Sequence, residues 1–206
     1  MSRLKTSGVI VRMERDLEVA LVGRLRAGDL SAFDAIYDAW NPRLFSFLLR
    51  MTKNRAIAED LLEETWLRLV SGGEALAAAT RLGPWLFTVA RNLFVSDYRS
   101  RLREQACARD LISLWPGGFS RSPHDSALLS EFEERLEAAL EEVPHTYREV
   151  LLLVGFEGLR PADAAAVCGI TPEALRQRLS RGRSLLAQRL KAKELSRETV
   201  SEQVSI

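Results

Sequence analysis

Helical period runs through every patterned segment of this 206-residue chain, and no stretch alternates apolar and polar residues cleanly enough to make a strand. That feature confines the fold to packed helices. Leu17, Leu21 and Leu25 recur at every fourth position before Gly28-Asp29 breaks the pattern. Ser31 is a good N-cap for a run over 32–40, with Phe33, Ile36, Tyr37 and Trp40 on one face. Pro42 suits the first turn of a third helix over 43–52. A fourth helix covers 57–70, a loop 71–83 follows, and Pro84 opens a long helix that ends near residue 104.

The character then changes. Leu114-Trp115-Pro116-Gly117-Gly118-Phe119-Ser120-Arg121-Ser122-Pro123 is rich in the residues that break helices, and 105–127 reads as a flexible linker. Beyond it, Leu129, Phe132, Leu136, Leu140 and Val143 form one stripe that ends at Pro144, and a helix over 146–156 runs into Gly158. Two shorter helices flank Gly169. The expectation is all-α: two small helical domains, 17–104 and 128–192, joined by 105–127. An N-terminal extension (1–16) precedes them, and a polar, frayed tail (193–206) follows.

Charge is nearly balanced, with 29 Lys and Arg against 28 Asp and Glu, which argues against a nucleic-acid binder. The balance conceals an asymmetry. Residues 128–158 hold eight acids and two bases, whereas 159–193 hold eight bases and two acids. Either the two segments serve different partners, or they neutralise each other within one domain. No apolar run approaches the roughly 18 residues that span a membrane, and the N-terminus has no signal-peptide core. Cys107 and Cys168 are too few for a disulfide scaffold, so a reducing, cytoplasmic setting is expected. His124 and His145 lack ligand partners at helical spacing. No phosphate loop, dinucleotide fingerprint or nucleophile elbow is present, and neither a metal, a cofactor nor an enzymatic activity is expected.

Three surfaces stand out. In 161–183, an alanine-rich helix is followed by Gly169 at a turn that needs positive φ, Ile170 as a plug, Thr171 as N-cap and Pro172 in the first turn. On the second helix, Leu175, Leu179, Gly182 and Leu186 share one face. Glu173, Gln177, Ser180 and Ser184 point away from it, with Arg176 and Arg181 beside them and Arg178 and Arg183 at the edges. An apolar back with a polar, arginine-rich front is what a major-groove recognition helix requires. On 57–70, Ala58, Leu61, Leu62, Trp66 and Leu69 oppose Asp60, Glu63 and Glu64. Leu67 stands among these acids as a docking surface does; a plain solvated face is the alternative. On 85–103, Leu86, Val89, Ala90, Leu93 and Asp97 point inward. Thr88, Asn92, Val95, Ser96, Arg99 and Arg103 point outward, a row suited to nucleic acid.

Taken together these residues resemble a family. Ala58-Glu59-Asp60-Leu61-Leu62-Glu63-Glu64-Thr65-Trp66, then Trp85-Leu86-Phe87-Thr88-Val89-Ala90-Arg91-Asn92 with Asp97 and Arg99, look like region 2 of bacterial RNA polymerase sigma factors. Gly28-Asp29, Ala32-Phe33 and Tyr37 fit the same region. Leu140, Pro144, Arg148-Glu149-Val150-Leu151, Gly158-Leu159 and Arg176-Gln177-Arg178-Leu179-Ser180-Arg181-Gly182-Arg183 look like region 4. Two such regions with only a short linker between them are similar to the extracytoplasmic-function (ECF, group 4) sigma factors.

The resemblance implies partners and roles. Core RNA polymerase would be bound through the β′ clamp helices and the β flap, with Asp60, Glu63, Glu64 and Leu67 on the clamp. The loop 71–83 and Thr88, Asn92, Ser96, Arg99 and Arg103 would capture the melted promoter minus-ten element, with Asn92 the first choice for a base contact and Trp85 retained in the core. Thr171, Glu173, Arg176, Gln177, Ser180, Arg181 and Arg183 would read the minus-thirty-five element as duplex. The linker would thread toward the polymerase active-centre and RNA-exit channel. An anti-sigma factor is implied as regulator, and no insertion into membrane.

The chain departs from the family at Glu63 (Gln is usual), Arg160 (Ser or Thr), Asp163-Ala164 (Glu-Ile) and Glu173-Ala174 (Gly-Thr). Residues 1–12 match nothing in the family, which leaves Met13 as an alternative start. Two other readings are a sigma-like decoy that binds an anti-sigma factor without reading DNA, and a stand-alone helix-turn-helix regulator. A sigma factor is expected to bind promoter DNA weakly when free.

Overall fold

The computed structural model describes residues 15–109 and 131–204, with side chains for 15–104 and 132–193. Every regular element among the described residues is helical. In the first half, α1 (Arg15–Arg26), α2 (Leu30–Thr52), α3 (Arg55–Gly72) and α4 (Leu82–Arg109) form a bundle, with one 3-10 turn at Gly73–Ala75. The second half holds α5 (Glu131–Glu142), α6 (His145–Leu151), α7 (Pro161–Cys168) and α8 (Pro172–Val204).

Several boundaries differ from the periodicity. Ser31 does not cap α2; Asp29 does, accepting from the Ser31 amide at 2.9 Å, while Ser31 Oγ also donates to it. Those bonds and Arg24 hold the Asp29 carboxyl down at about 2. Pro42 opens no new helix: α2 runs through it unbroken. A proline forfeits one helical hydrogen bond. Here Ile36, Trp40, Leu44, Phe47, Leu48 and Met51 bury along one continuous stripe, and that burial holds the helix together across the gap. Asn54 caps α3 and accepts from the Ile57 amide. After α6, a wider π-type turn covers Leu152–Phe156, closed by the Glu157 amide on Leu152 O at 2.9 Å.

The linker expectation is met by helix over 105–109; its remainder, with Leu129, lies outside the described residues. Phe132 leaves the expected stripe and stands 57 % exposed, because Leu136, Leu140 and Val143 already fill the contact. The tail is not frayed where described: the α8 backbone stays helical to Val204.

The two halves are docked on each other. Helix α4 packs on α7, and α2 meets α5 and α6, so one core runs through both. Charges line the seam. Arg43 Nε donates to Glu157 at 3.0 Å, Arg50 to Glu137 at 2.7 Å and Arg91 to Glu149 at 3.1 Å, and Arg81 bonds Asp163. Lys53 reaches the Glu141 carbonyl. Arg148, 5 % exposed, donates to the carbonyls of Leu140, Glu141 and Val143 at the end of α5 and across the seam to Arg50 O. The acidic segment is therefore neutralised partly within its own half and partly by the first half. Within its own half, Glu142 pairs with Arg189 and Lys193, and Glu149 with Arg178; Glu137, Glu149 and Glu157 also face arginines of the first half.

Two expected outcomes follow from this packing. A Cβ on Gly83 sits 2.4 Å from the Trp40 ring. Trp40 is itself buried and covered by Arg43, 4.4 Å over its face. Gly83→Ala therefore overpacks a rigid site and lowers stability by about 2 kcal/mol in urea denaturation. His145 of α6 lies 4.8 Å from Tyr98 of α4, ring to ring. Burial lowers its pKa from the usual 6.5, reinforced by Arg148, Arg178 and Arg91 and opposed by Glu149. The unfolded chain then binds the extra proton first, so His145 costs stability as pH falls through 6.5. His145→Gln flattens the melting-temperature profile between pH 7.5 and 5.5, and the difference between the two profiles isolates the imidazole.

Candidate nucleic-acid interface

The helix pair α7–α8 is built as its sequence dictates. Gly169 ends α7 at φ 64°, the left-handed region where glycine is unstrained, and its amide caps the Ala165 and Ala166 carbonyls. Ile170 is half-buried against the core. Thr171 Oγ1 accepts from the Ala174 amide at 3.1 Å, and Pro172 follows in the first turn. Leu175 and Leu179 are buried. Gly182 lets α8 approach α6 closely, since a Cβ there stands 3.2 Å from Leu151 Cγ.

The opposite face is open. Thr171, Glu173, Arg176, Gln177, Ser180, Arg181 and Arg183 are all exposed, contiguous on the first three turns of α8. Arg176 bonds Glu173 one turn back. Arg178, at the edge of the apolar stripe, turns its guanidinium inward to Glu149 at 3.3 Å. Glu149 is 2 % exposed and accepts from both Arg178 and Arg91, so a carboxylate of α6 orients one arginine from each half.

A second row lies on α4. Asn92, Ser96, Arg99 and Arg103 are exposed and spaced by three or four residues. Thr88 is half-buried, and its hydroxyl donates to Pro84 O at 2.7 Å, leaving only lone pairs for a ligand. Val95 is half-buried, a correction to its outward placement, and Trp85 packs on the core as expected. Asp97 is half-buried and bonds Arg101 one turn on. The loop before α4 is anchored: Arg15 donates to Ala79 O at 2.7 Å, and Leu76 is buried.

On α3, Asp60 and Glu63 are exposed, Glu64 is half-exposed and bonds Arg68 at 2.7 Å, and Leu67 stands 54 % exposed among them. Val70, 62 % exposed one turn on, extends this face. The sequence treated Val70 as a helix end, although its i+3 spacing from Leu67 was the available signal.

Among the described residues, no group of three or more His, Cys, Asp or Glu is placed to hold a metal ion. Cys168 is buried, which pushes its thiol up to about 12, with Glu149 reinforcing the shift. No helix there is long and apolar enough to cross a membrane.

Comparisons with known proteins agree with this geometry. The Sigma-70 region 2 family model matches residues 36–104, and the Sigma-70, region 4 model matches 133–186. The ECF RNA polymerase sigma factor EcfG of Rhodopseudomonas palustris is 39% identical over 146 residues, 71% of this chain and 78% of the relative. SigM of Bacillus subtilis, also an ECF RNA polymerase sigma factor, is 34% identical over 160 residues, 77% of this chain and 93% of the relative. Among solved structures, the sigma factor RpoE in complex with the anti-sigma factor NepR from Bartonella quintana matches with TM-score 0.67 at 28% identity, over 77% of this chain and 96% of that one. CnrH, solved with the cytosolic domain of CnrY, shares the fold at TM-score 0.64 and 19% identity, over 86% of this chain and 99% of that one. The chain belongs to the ECF sigma factors of the sigma-70 family.

Proposed function

We propose that this sigma factor, which binds core RNA polymerase and directs it to promoters, divides the work between three faces of its two halves. The observation that carries the proposal is the open, contiguous polar face of α8 on a helix pair whose turn, plug and caps are complete. Arg176, Gln177, Ser180, Arg181 and Arg183, with Thr171 and Glu173 at the helix start, read the minus-thirty-five element in the major groove. Arginine donates to guanine, glutamine pairs with adenine, and glutamate accepts from cytosine.

The α4 row takes the minus-ten element as single strand. Asn92 contacts a base turned out of the stack, because a paired base does not present its full edge. Thr88 supplies an acceptor, Ser96 a hydroxyl, and Arg99 and Arg103 hold the backbone. Opening is driven by exchanging base pairs for protein contacts, so the chain needs no hydrolysable nucleotide, no cofactor and no enzymatic activity of its own. Asp60, Glu63, Glu64 and Leu67 dock on the polymerase clamp, an apolar anchor inside an acidic rim. The chain works in the cytoplasm beside the polymerase. An anti-sigma factor regulates it, a reading supported by the NepR complex of its structural relative.

Run-off transcription with core polymerase on a genomic fragment library tests the whole reading, since a promoter-directing subunit yields discrete start sites and a decoy yields none. On a promoter so identified, Arg176→Ala costs roughly 5- to 150-fold in use of the upstream element, the equivalent of about 1–3 kcal/mol for a lost bidentate contact. Asn92→Ala instead impairs opening at the downstream element, read by permanganate footprinting. Equal loss at both elements from either variant contradicts the division. Leu67→Asp weakens association with core polymerase about tenfold or more while leaving the melting temperature unchanged.

A further inference from the structure

The docked arrangement brings the two reading faces too close together to work as a pair. Helix α4 packs on α7 and α7 on α8. At 8–10 Å per packed helix pair, the α4 and α8 axes lie no more than about 20 Å apart. Elements named for positions ten and thirty-five lie about 25 base pairs apart, roughly 85 Å at 3.4 Å per step. Both faces reach their elements only after the halves separate.

The seam is built to separate. Four arginines of the first half, Arg43, Arg50, Arg81 and Arg91, meet Glu157, Glu137, Asp163 and Glu149 of the second. A cavity of about 60 Å³ between them is lined by Glu18, Trp40, Arg43, Arg81, Glu157 and Asp163, polar enough to admit water. Apolar residues of both halves also meet across the seam, but its charged, wettable part has the composition of a reversible contact between domains.

Two of these arginines belong to the DNA-side elements. Arg81 ends the loop that leads into α4, one residue before its first turn, and Arg91 adjoins Asn92, one turn from Thr88 and Val95. Both are half-buried by the seam, each with its guanidinium on a carboxylate of the second half. A carboxylate on an arginine occupies the donor fork that a phosphate takes.

We infer that Arg81 and Arg91 are further backbone-binding residues for the minus-ten strand, masked in the closed chain by Asp163 and Glu149, which occupy the positions of phosphates. The ligand is the phosphodiester backbone of single-stranded DNA, and opening the seam exposes both contacts at the moment the faces part. This rests on the assignment of the α4 row to that strand, and it extends the row by two cations that the open faces do not show. Closure thereby restrains the free chain twice: it sets the faces at the wrong spacing, and it neutralises part of the strand-binding site.

The test uses the full chain and a mixed-sequence single-stranded oligonucleotide, because phosphate contacts carry no sequence information. Asp163→Asn with Glu137→Gln removes two bridges, with far-UV circular dichroism confirming helical content. The expected result is a larger radius of gyration by X-ray scattering and a salt dependence steeper by about 1.4 in log–log slope, two contacts at about 0.7 each on single strands. In that background Arg81→Ala and Arg91→Ala each take back about 0.7. Asp34→Asn with Asp38→Asn on exposed α2 makes the same change in net charge, and is expected to alter neither compactness nor slope. Arg99→Ala and Arg103→Ala lower the slope in closed and opened chains alike. If those two do nothing, the α4 row itself is misassigned. If they act while Arg81→Ala and Arg91→Ala do not, the masked site is refuted. A natively helical double variant that stays compact overturns the latch.

Discussion

Glu149 is a carboxylate with almost no access to solvent, and the arrangement of both halves follows from how that charge is satisfied. A buried ion is tolerated only when it is paired and hydrogen-bonded, and removing one partner costs more than the pair itself contributes. Arg178 comes from the same half and Arg91 from the other, so the carboxylate is fully served only when α4 lies against α7. Arg148 one residue earlier works in reverse, a buried cation that closes the end of α5 and also takes a carbonyl from the end of α2. Two neighbours on one turn of α6 thus link local helix structure to the docking of the halves.

The opposite case is Glu157. Burial raises its carboxyl above the usual range even though Arg43 stands beside it, so the docked position is a costly one for its charge. Asp163 balances differently: burial alone raises it, but hydrogen bonds from Arg160 and Arg81 outweigh that and hold its carboxyl low. The seam thus mixes well-served and poorly served charges. An all-apolar seam of similar extent lacks that mixture, and separating it exposes surface that water does not recover.

Local features were legible in the sequence where they depend on neighbours within a turn or two. Gly169, Ile170, Thr171 and Pro172 were readable as turn, plug, cap and first turn, because each role is set by a residue's own φ preference or side-chain reach. The apolar face of α8 was legible for the same reason, down to Gly182. Arg178 was not, because an arginine at the edge of a stripe has the same helical phase whether it faces solvent or a buried glutamate. Pro42 misled for a related reason. Its local rule is sound, but burial on both sides of it outweighed one missing hydrogen bond. The seam was invisible altogether: Arg81 and Asp163 are 82 residues apart, and no periodicity encodes such a pairing.

The near-neutral net charge takes its meaning from that seam. Summed over the chain it resembled evidence against binding nucleic acid, since a permanently open binder carries a basic excess. In the closed chain Glu137 and Glu142 of α5, Glu149 of α6, Glu157 between α6 and α7, and Asp163 of α7 are paired with cations, some from α8 and some from the first half. Arg99 and Arg103 on α4 and Arg181 and Arg183 on α8 stay exposed on the two open faces, and Arg176 beside them pairs with Glu173 of the same face. The net charge is the same closed or open; what parting changes is local, because Arg43, Arg50, Arg81 and Arg91 of the first half lose their carboxylate partners. On the proposed reading the α4 face then attracts a polyanion more strongly once open, so a partner that held the halves apart would also raise the affinity for DNA.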